Sequence, residues 1–123
     1  MSGQANAGNV AAAAGALTLP SGHAARLFER LDEPGDDGMI YRFRFVSEGF
    51  RVIDADADAA LADLEFLCQH YALRNLPVDG APPAQIIISL ADREVPFATT
   101  DPAATQVFEA FSVENDTCIW EMF

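Results

Sequence analysis

The sequence predicts a single two-layer α+β domain: a mainly antiparallel sheet of four to six strands with one helix packed across it. Three observations predict this. Short alternating or continuous apolar runs recur from residue 24 to the end, separated by clusters of Gly, Pro, Asn and Asp, as in strands joined by hairpins. One segment, residues 54–73, carries apolar residues at helical spacing. The length of 123 residues, half of them hydrophobic, suits one core.

Residues 1–19 are small, uncharged and low in complexity, with no bulky residue before Leu17. Such a stretch buries too little apolar area to offset its ordering entropy. It is expected to be a flexible Ala/Gly-rich tail or the remnant of an export signal, although it lacks the basic n-region of a signal peptide. The domain is expected over residues 20–123.

Ala24–Leu31 alternates imperfectly, with Leu27, Glu29 and Leu31 on one side and Arg26, Phe28 and Arg30 on the other, which predicts a strand with a helix as the alternative. Residues 32–38, DEPGDDG, predict a loop. Met39–Val46 predicts the second strand of a hairpin, with Tyr41, Phe43 and Phe45 opposite Arg42, Arg44 and Val46.

Ala57, Ala60, Leu61, Leu64, Leu67, Cys68 and Tyr71 form the apolar stripe of the helix. Asp54, Asp56 and Asp58 crowd its start, where carboxylates cap N–H groups and meet the positive end of the dipole. Asn75, Gly80 and three prolines end it.

Gln85–Leu90 has three consecutive Ile and predicts a central strand covered on both faces. Glu94–Ala98 is a candidate edge strand, because Pro96 cannot donate to a ladder. Gln106–Val113 alternates Val107, Phe111 and Val113 against Phe108, Ala110 and Ser112, and a turn at Glu114–Asp116 leads into a last strand over Thr117–Phe123. Apart from that extra edge strand, the order is β-β-α-β-β-β.

Charge narrows the function. The net charge is −12, and all seven basic residues are Arg. The absence of Lys excludes Schiff-base and pyridoxal-phosphate chemistry and the lysine of a phosphate-binding loop. Nucleic acid and anionic membranes both require a cationic footprint, so neither is an expected partner. No apolar run approaches the ~20 residues of a membrane span.

Candidate chemistry is sparse. Cys68 lies on the helix stripe, and Cys118 shares a strand face with Trp120, so both can point into one core. They can form a disulfide, worth roughly 3–4 kcal/mol in the chain-entropy model, or remain two buried thiols. No Cys-x-x-Cys motif supports redox catalysis.

Asp54, Asp56, Asp58 and Glu65 match positions 1, 3, 5 and 12 of a calcium loop. The required Gly at position 6 is Ala59, and the helix stripe would have to break, so an acid-rich helix start is the better reading and no metal is expected. Arg42 and Arg44 share a strand face, as do Arg26 and Arg30. If the two faces coincide, they form an anion- or partner-binding strip for a carboxylate, a phosphate or an acidic partner. The competing reading is cross-strand pairing with Glu29, Glu94, Glu109 or Glu121.

His23 and His70 are the only histidines. No nucleophile motif or zinc signature accompanies them, so no catalytic residue and no cofactor is assigned.

The runs Tyr41–Val46, Gln85–Val95, Ala104–Phe111 and Cys118–Glu121 resemble those of a family of small, uncharacterised, exported alphaproteobacterial proteins, over about Pro20–Phe123. Some such proteins carry the label acetolactate synthase. This chain is too short for a thiamine-diphosphate enzyme and has no diphosphate-binding pattern. The resemblance implies export to the periplasm, and there an oxidised Cys68–Cys118 pair.

The expected function is that of a small non-catalytic acidic domain of the cell envelope that binds a protein partner or a small ligand. One alternative is a cytoplasmic acidic inhibitor or nucleic-acid mimic. The other is an enzyme using an Asp/Glu pair in a concave site.

Overall fold

Alternation at Tyr41, Phe43 and Phe45 sets the layering, because these rings are buried on one face of the sheet while Arg42 and Arg44 project from the other. The structure is a computed structural model, described over residues 15–49, 57–77 and 83–121. Its strands are β1 (Ala16–Thr18), β2 (Ala24–Gly35), β3 (Gly38–Val46), β4 (Pro83–Ala91), β5 (Gln106–Glu114) and β6 (Thr117–Glu121). Helix α1 (Ala57–Leu67) continues through a π turn, Cys68–Ala72, and a 3-10 turn, Leu73–Asn75.

The six strands form one sheet in chain order. Every neighbouring pair is antiparallel except β3 and β4, which run parallel because the chain crosses between them through α1. The α+β class and the mainly antiparallel sheet follow the sequence expectation. The parallel pair does not; hairpin signals on either side of the helix do not reveal which strands it connects.

Leu64, Leu67, Cys68 and Ala72 are buried against the sheet, and Tyr71 stands edge-on to Phe43 and Phe45, with ring centroids 6.2 and 5.5 Å away. Below them lie Ile86, Ile88 and Leu90 of β4 and Phe111 of β5, all fully buried. Such a contiguous core holds most of the hydrophobic stabilisation. The π turn, with Leu73 N–H bonded to Cys68 O, keeps Tyr71 and Ala72 on the core side beyond Leu67. The helical segment thus ends at Asn75, whose side-chain amide donates to Tyr71 O at 2.7 Å. Asp54 and Asp56, at the expected helix start, lie outside the described residues.

The sequence expectation requires three corrections. Ala16–Thr18, expected in the tail, pairs with β2, and Leu19 beside it is buried. A three-residue strand with Leu17 as its one bulky side chain is too short for alternation to show in the sequence. Residues 1–14 of the expected tail lie outside the described residues.

The second correction concerns β2, which runs to Gly35 rather than ending at Leu31. Pro34 is accommodated because, among the described residues, β1 covers only Ala24–Arg26 and leaves the rest of that strand an edge where a missing N–H costs no ladder bond.

Third, Glu94–Ala98 is not a strand but part of the β4–β5 loop. Thr99 N–H closes a turn on Pro96 O at 3.2 Å, and Ala98 takes the left-handed φ of 65°, neither compatible with an extended ladder. The β5–β6 hairpin turns on Asn115 and Asp116, both with positive φ (53° and 61°), as a two-residue primed turn requires.

Candidate functional site

The sheet face opposite α1 carries the predicted arginines, and its arrangement depends on a bulge in β2. Leu27 pairs with Phe45 and Glu29 with Arg44, leaving Phe28 as the extra residue. Beyond a bulge, alternation is reversed relative to simple counting. Arg26, opposite Val46, therefore shares the face of Arg42 and Arg44, whereas Arg30, opposite Phe43, is carried to the helix side. There it pairs with Asp32 at 2.9 Å and donates to Asn75 O at 3.2 Å, where a cation suits the carboxyl end of a helix. The four-arginine strip is thus three arginines, and Arg30 serves the fold.

The three remaining arginines differ in how far their donors are used. Arg26 pairs with Glu94 at 3.0 Å, an exposed bridge tying the β4–β5 loop to β2. Arg44 is buried, paired with Glu29 and donating to Val95 O at 2.7 Å. Its guanidinium also lies over the rings of Phe28 (5.4 Å) and Phe97 (5.5 Å). Arg44 holds the loop down, and buried Val95 is its anchor.

Arg42 is less committed. Its Nη2 donates to Glu33 Oε1 at 3.0 Å, and its Nε is buried with no acceptor among the described residues. Its side chain is 19% exposed against 6% for Arg44, and Phe97 stacks on it at 4.9 Å. Of the four expected cross-strand partners, Glu29 pairs with Arg44 across β2 and β3, and Glu94 pairs with Arg26 from the β4–β5 loop rather than from a strand. Glu109 instead accepts from Trp120 Nε1 at 3.0 Å, and Glu121 accepts from Gln85 Nε2 at 2.8 Å.

Arg42 and Arg44 floor an open groove of about 260 Å³, with Ser89 from β4, Gln106 and Phe108 from β5, and Phe97–Thr99 from the loop on its walls. Phe108 is 64% exposed and Phe97 43%. The groove thus sets large exposed apolar groups and a partly unpaired guanidinium in one lining.

The sequence reading passed over Phe97, Glu33 and Phe108. For Phe108 a signal existed: it alternates out of phase with Val107 and Phe111. Glu33 was concealed in what reads as a loop, and no periodicity marks Phe97.

Cys68 and Cys118 meet in the core with their sulfurs at disulfide bonding distance and Cα atoms 6.2 Å apart. The two-thiol alternative is therefore not what the geometry presents. Of the calcium set, Asp58 and Glu65 are exposed positions within α1, and helix occupies residues 57–65 of the stretch a calcium loop would need; Asp54 and Asp56 lie outside the described residues. Among the described residues no group of three or more His, Cys, Asp or Glu is placed to hold a metal.

A second depression, of about 250 Å³, is lined by Asp36, Asp37 and Glu121 beside Gln85. It is a concave site with carboxylates, but its lining contains no cation, His or nucleophile. His23 lies in the β1–β2 turn, and His70 is on the π turn, stacked on Phe66 at 4.5 Å. Neither lines either of these two depressions. Among the described residues no helix is long and apolar enough to cross a membrane.

A family model described as "Family of unknown function (DUF6497)" matches residues 3–123. No curated protein and no solved structure matches the chain.

Proposed function

We propose that this chain, which belongs to the family of unknown function DUF6497, is a small non-catalytic binding domain of the cell envelope, working in the oxidising periplasm. The observation that carries the binding role is Arg42, a guanidinium with uncommitted donors under Phe97 in a groove that exposed Phe108 also lines. The cysteine pair supports the compartment, because disulfides persist outside the reducing cytosol. Elsewhere α1 covers one face of the sheet, and Arg26 and Arg44 pin the loop that walls the groove.

Two measurements test this reading. In the first, protein from fractionated native cells is alkylated under denaturing conditions without reductant and weighed intact. The expected result is an unlabelled chain in the envelope fraction. Two labelled thiols in the cytosolic fraction would overturn the compartment and favour a cytoplasmic acidic inhibitor. In the second, capture from envelope extract is compared between wild type and the double variant Arg42→Gln/Phe108→Ser. Loss of a saturable interaction in the variant supports the groove, and equal capture by both removes it from the binding role.

A further inference from the structure

The groove's charge balance and walls restrict what it can hold, and we infer that its ligand is a small monocarboxylate with a flat, aromatic body: Arg42 grips the carboxylate, and Phe97 and Phe108 cover the ring. This rests on the groove being the domain's ligand face.

Three observations lead there. First, a guanidinium has five N–H donors in a planar fork suited to carboxylates. Arg44 is held by two acceptors, Glu29 and Val95 O, and its side chain is only 6% exposed, so it is a fixed wall. Arg42, 19% exposed, meets one acceptor among the described residues, Glu33 Oε1, so most of its guanidinium donors are uncommitted; its Nε, buried without an acceptor, adds to that deficit without itself facing the groove.

Second, the site is already neutral, with Arg42 matched by Glu33 and Arg44 by Glu29, on a chain of net charge −12. A dianion such as phosphate would leave an uncompensated excess of negative charge there, and acetate would bring nothing to offset even one. A single carboxylate can bind if burial of apolar area contributes the remainder, and that area is present in the exposed rings of Phe97 and Phe108.

Third, about 260 Å³ is below the range of drug-sized pockets, which fits one ring and a carboxylate rather than an extended molecule. Ser89 and Gln106 line the same groove and offer polar contacts for a carboxylate.

Glu33 is the internal competitor. Its side chain is 38% exposed and, from outside the groove lining, its carboxylate pairs with Arg42 Nη2 at 3.0 Å and offsets the charge an incoming carboxylate would meet. Neutralising it should therefore strengthen binding, which no purely structural role for the Arg42–Glu33 bridge would produce.

The test is an NMR titration of the full oxidised chain with phenylacetate, and with acetate, benzyl alcohol and inorganic phosphate for comparison. Saturable shifts are expected at the Arg42 side-chain N–H and at the amides of Phe97, Thr99 and Phe108. The three comparison compounds should bind at least about tenfold more weakly. Arg42→Gln should abolish the shifts. Glu33→Gln, which leaves Arg42 and the groove walls in place, should tighten binding by about three- to tenfold.

The assignment is overturned if phenylacetate gives no saturable shift with either wild type or Glu33→Gln. Equal binding of acetate or phosphate, or shifts that persist in Arg42→Gln, would also overturn it. A failed titration alongside Arg42-dependent capture of an envelope protein would transfer the groove to a macromolecular partner and leave the binding-domain reading standing.

Discussion

Gln69 holds the backbone of Cys118: its Oε1 accepts the Cys118 N–H at 2.9 Å, while its Nε2 donates to Asp116 O at 2.9 Å. β6 is the last strand of the sheet, and its outer edge would otherwise present unpaired backbone groups. One amide side chain from the π turn stands in for a neighbouring strand, one residue from the cysteine that faces Cys118. Replacing Gln69 by Ala removes both partners and leaves a partly buried N–H unsatisfied, at a cost of about 1–3 kcal/mol. Urea unfolding of the oxidised protein measures this. Stability equal to wild type would mean that water replaces the amide without loss.

Beside that clamp, the Cys68–Cys118 link closes a loop of 50 residues that contains most of the crossover from helix to sheet. Reduction, or replacement of both cysteines by Ala, is expected to cost roughly 3–4 kcal/mol through the entropy of the unfolded chain. Leu64, Leu67 and Tyr71 still hold the helix on the sheet, so a folded but less stable protein is expected. Denaturant midpoints with and without reductant measure the difference. An unchanged midpoint would show that the link constrains nothing that packing does not.

Ala98 takes a left-handed φ of 65° in the turn that places Phe97 over Arg42. A Cβ disfavours that region by about 1–2 kcal/mol, and part of the gain from relieving it is offset by glycine's larger unfolded-state freedom. Ala98→Gly is expected to raise stability by about 0.5–1 kcal/mol. Thermal unfolding tests it, and a lower Tm would mean that the turn relaxes to a right-handed conformation in solution.

The fold was legible in the sequence wherever periodicity carried it. Tyr41, Phe43 and Phe45 alternate without interruption, and the pattern alone puts them on the core face with Arg42 and Arg44 behind. The same alternation in Val107, Phe111 and Val113 leaves Phe108 outside. Counting by twos failed at Phe28, because a bulge adds one residue without leaving a Gly or Pro to mark it, and Arg30 changed face in consequence. Glu33 and Phe97 were invisible as site residues for another reason: their positions depend on an extended edge strand and an irregular loop, both set by tertiary pairing rather than by local pattern. The cysteine pair was half legible, since shared core faces made contact possible but only the packing of the π turn against β6 brings the sulfurs together.

The loop that carries Phe97 is closed at its base by Asp92 and Thr105. Their backbones are joined by Asp92 N–H to Thr105 O at 3.0 Å, and Asp92 Oδ1 accepts the Thr105 N–H at 3.0 Å. The hydrogen bond from Arg93 holds the Asp92 carboxyl below its ordinary value of 3.8; partial burial opposes this, and the Thr105 N–H reinforces it. A carboxyl whose pKa is lowered by folding contributes stability that is fully present above its unfolded value and is lost as pH falls through the folded one. The closure is therefore expected to be insensitive to pH near neutrality and to weaken only in acid, below the ordinary value of 3.8. Proton-exchange protection of the Thr105 amide, followed from about pH 5 down to about pH 2 and corrected for intrinsic exchange, measures this. Asp92→Asn keeps an acceptor for Thr105 but has no charge to titrate, so its protection should lack the acid limb. An acid limb of equal size in that variant would place the loss elsewhere in the fold, since the only group removed is the carboxylate.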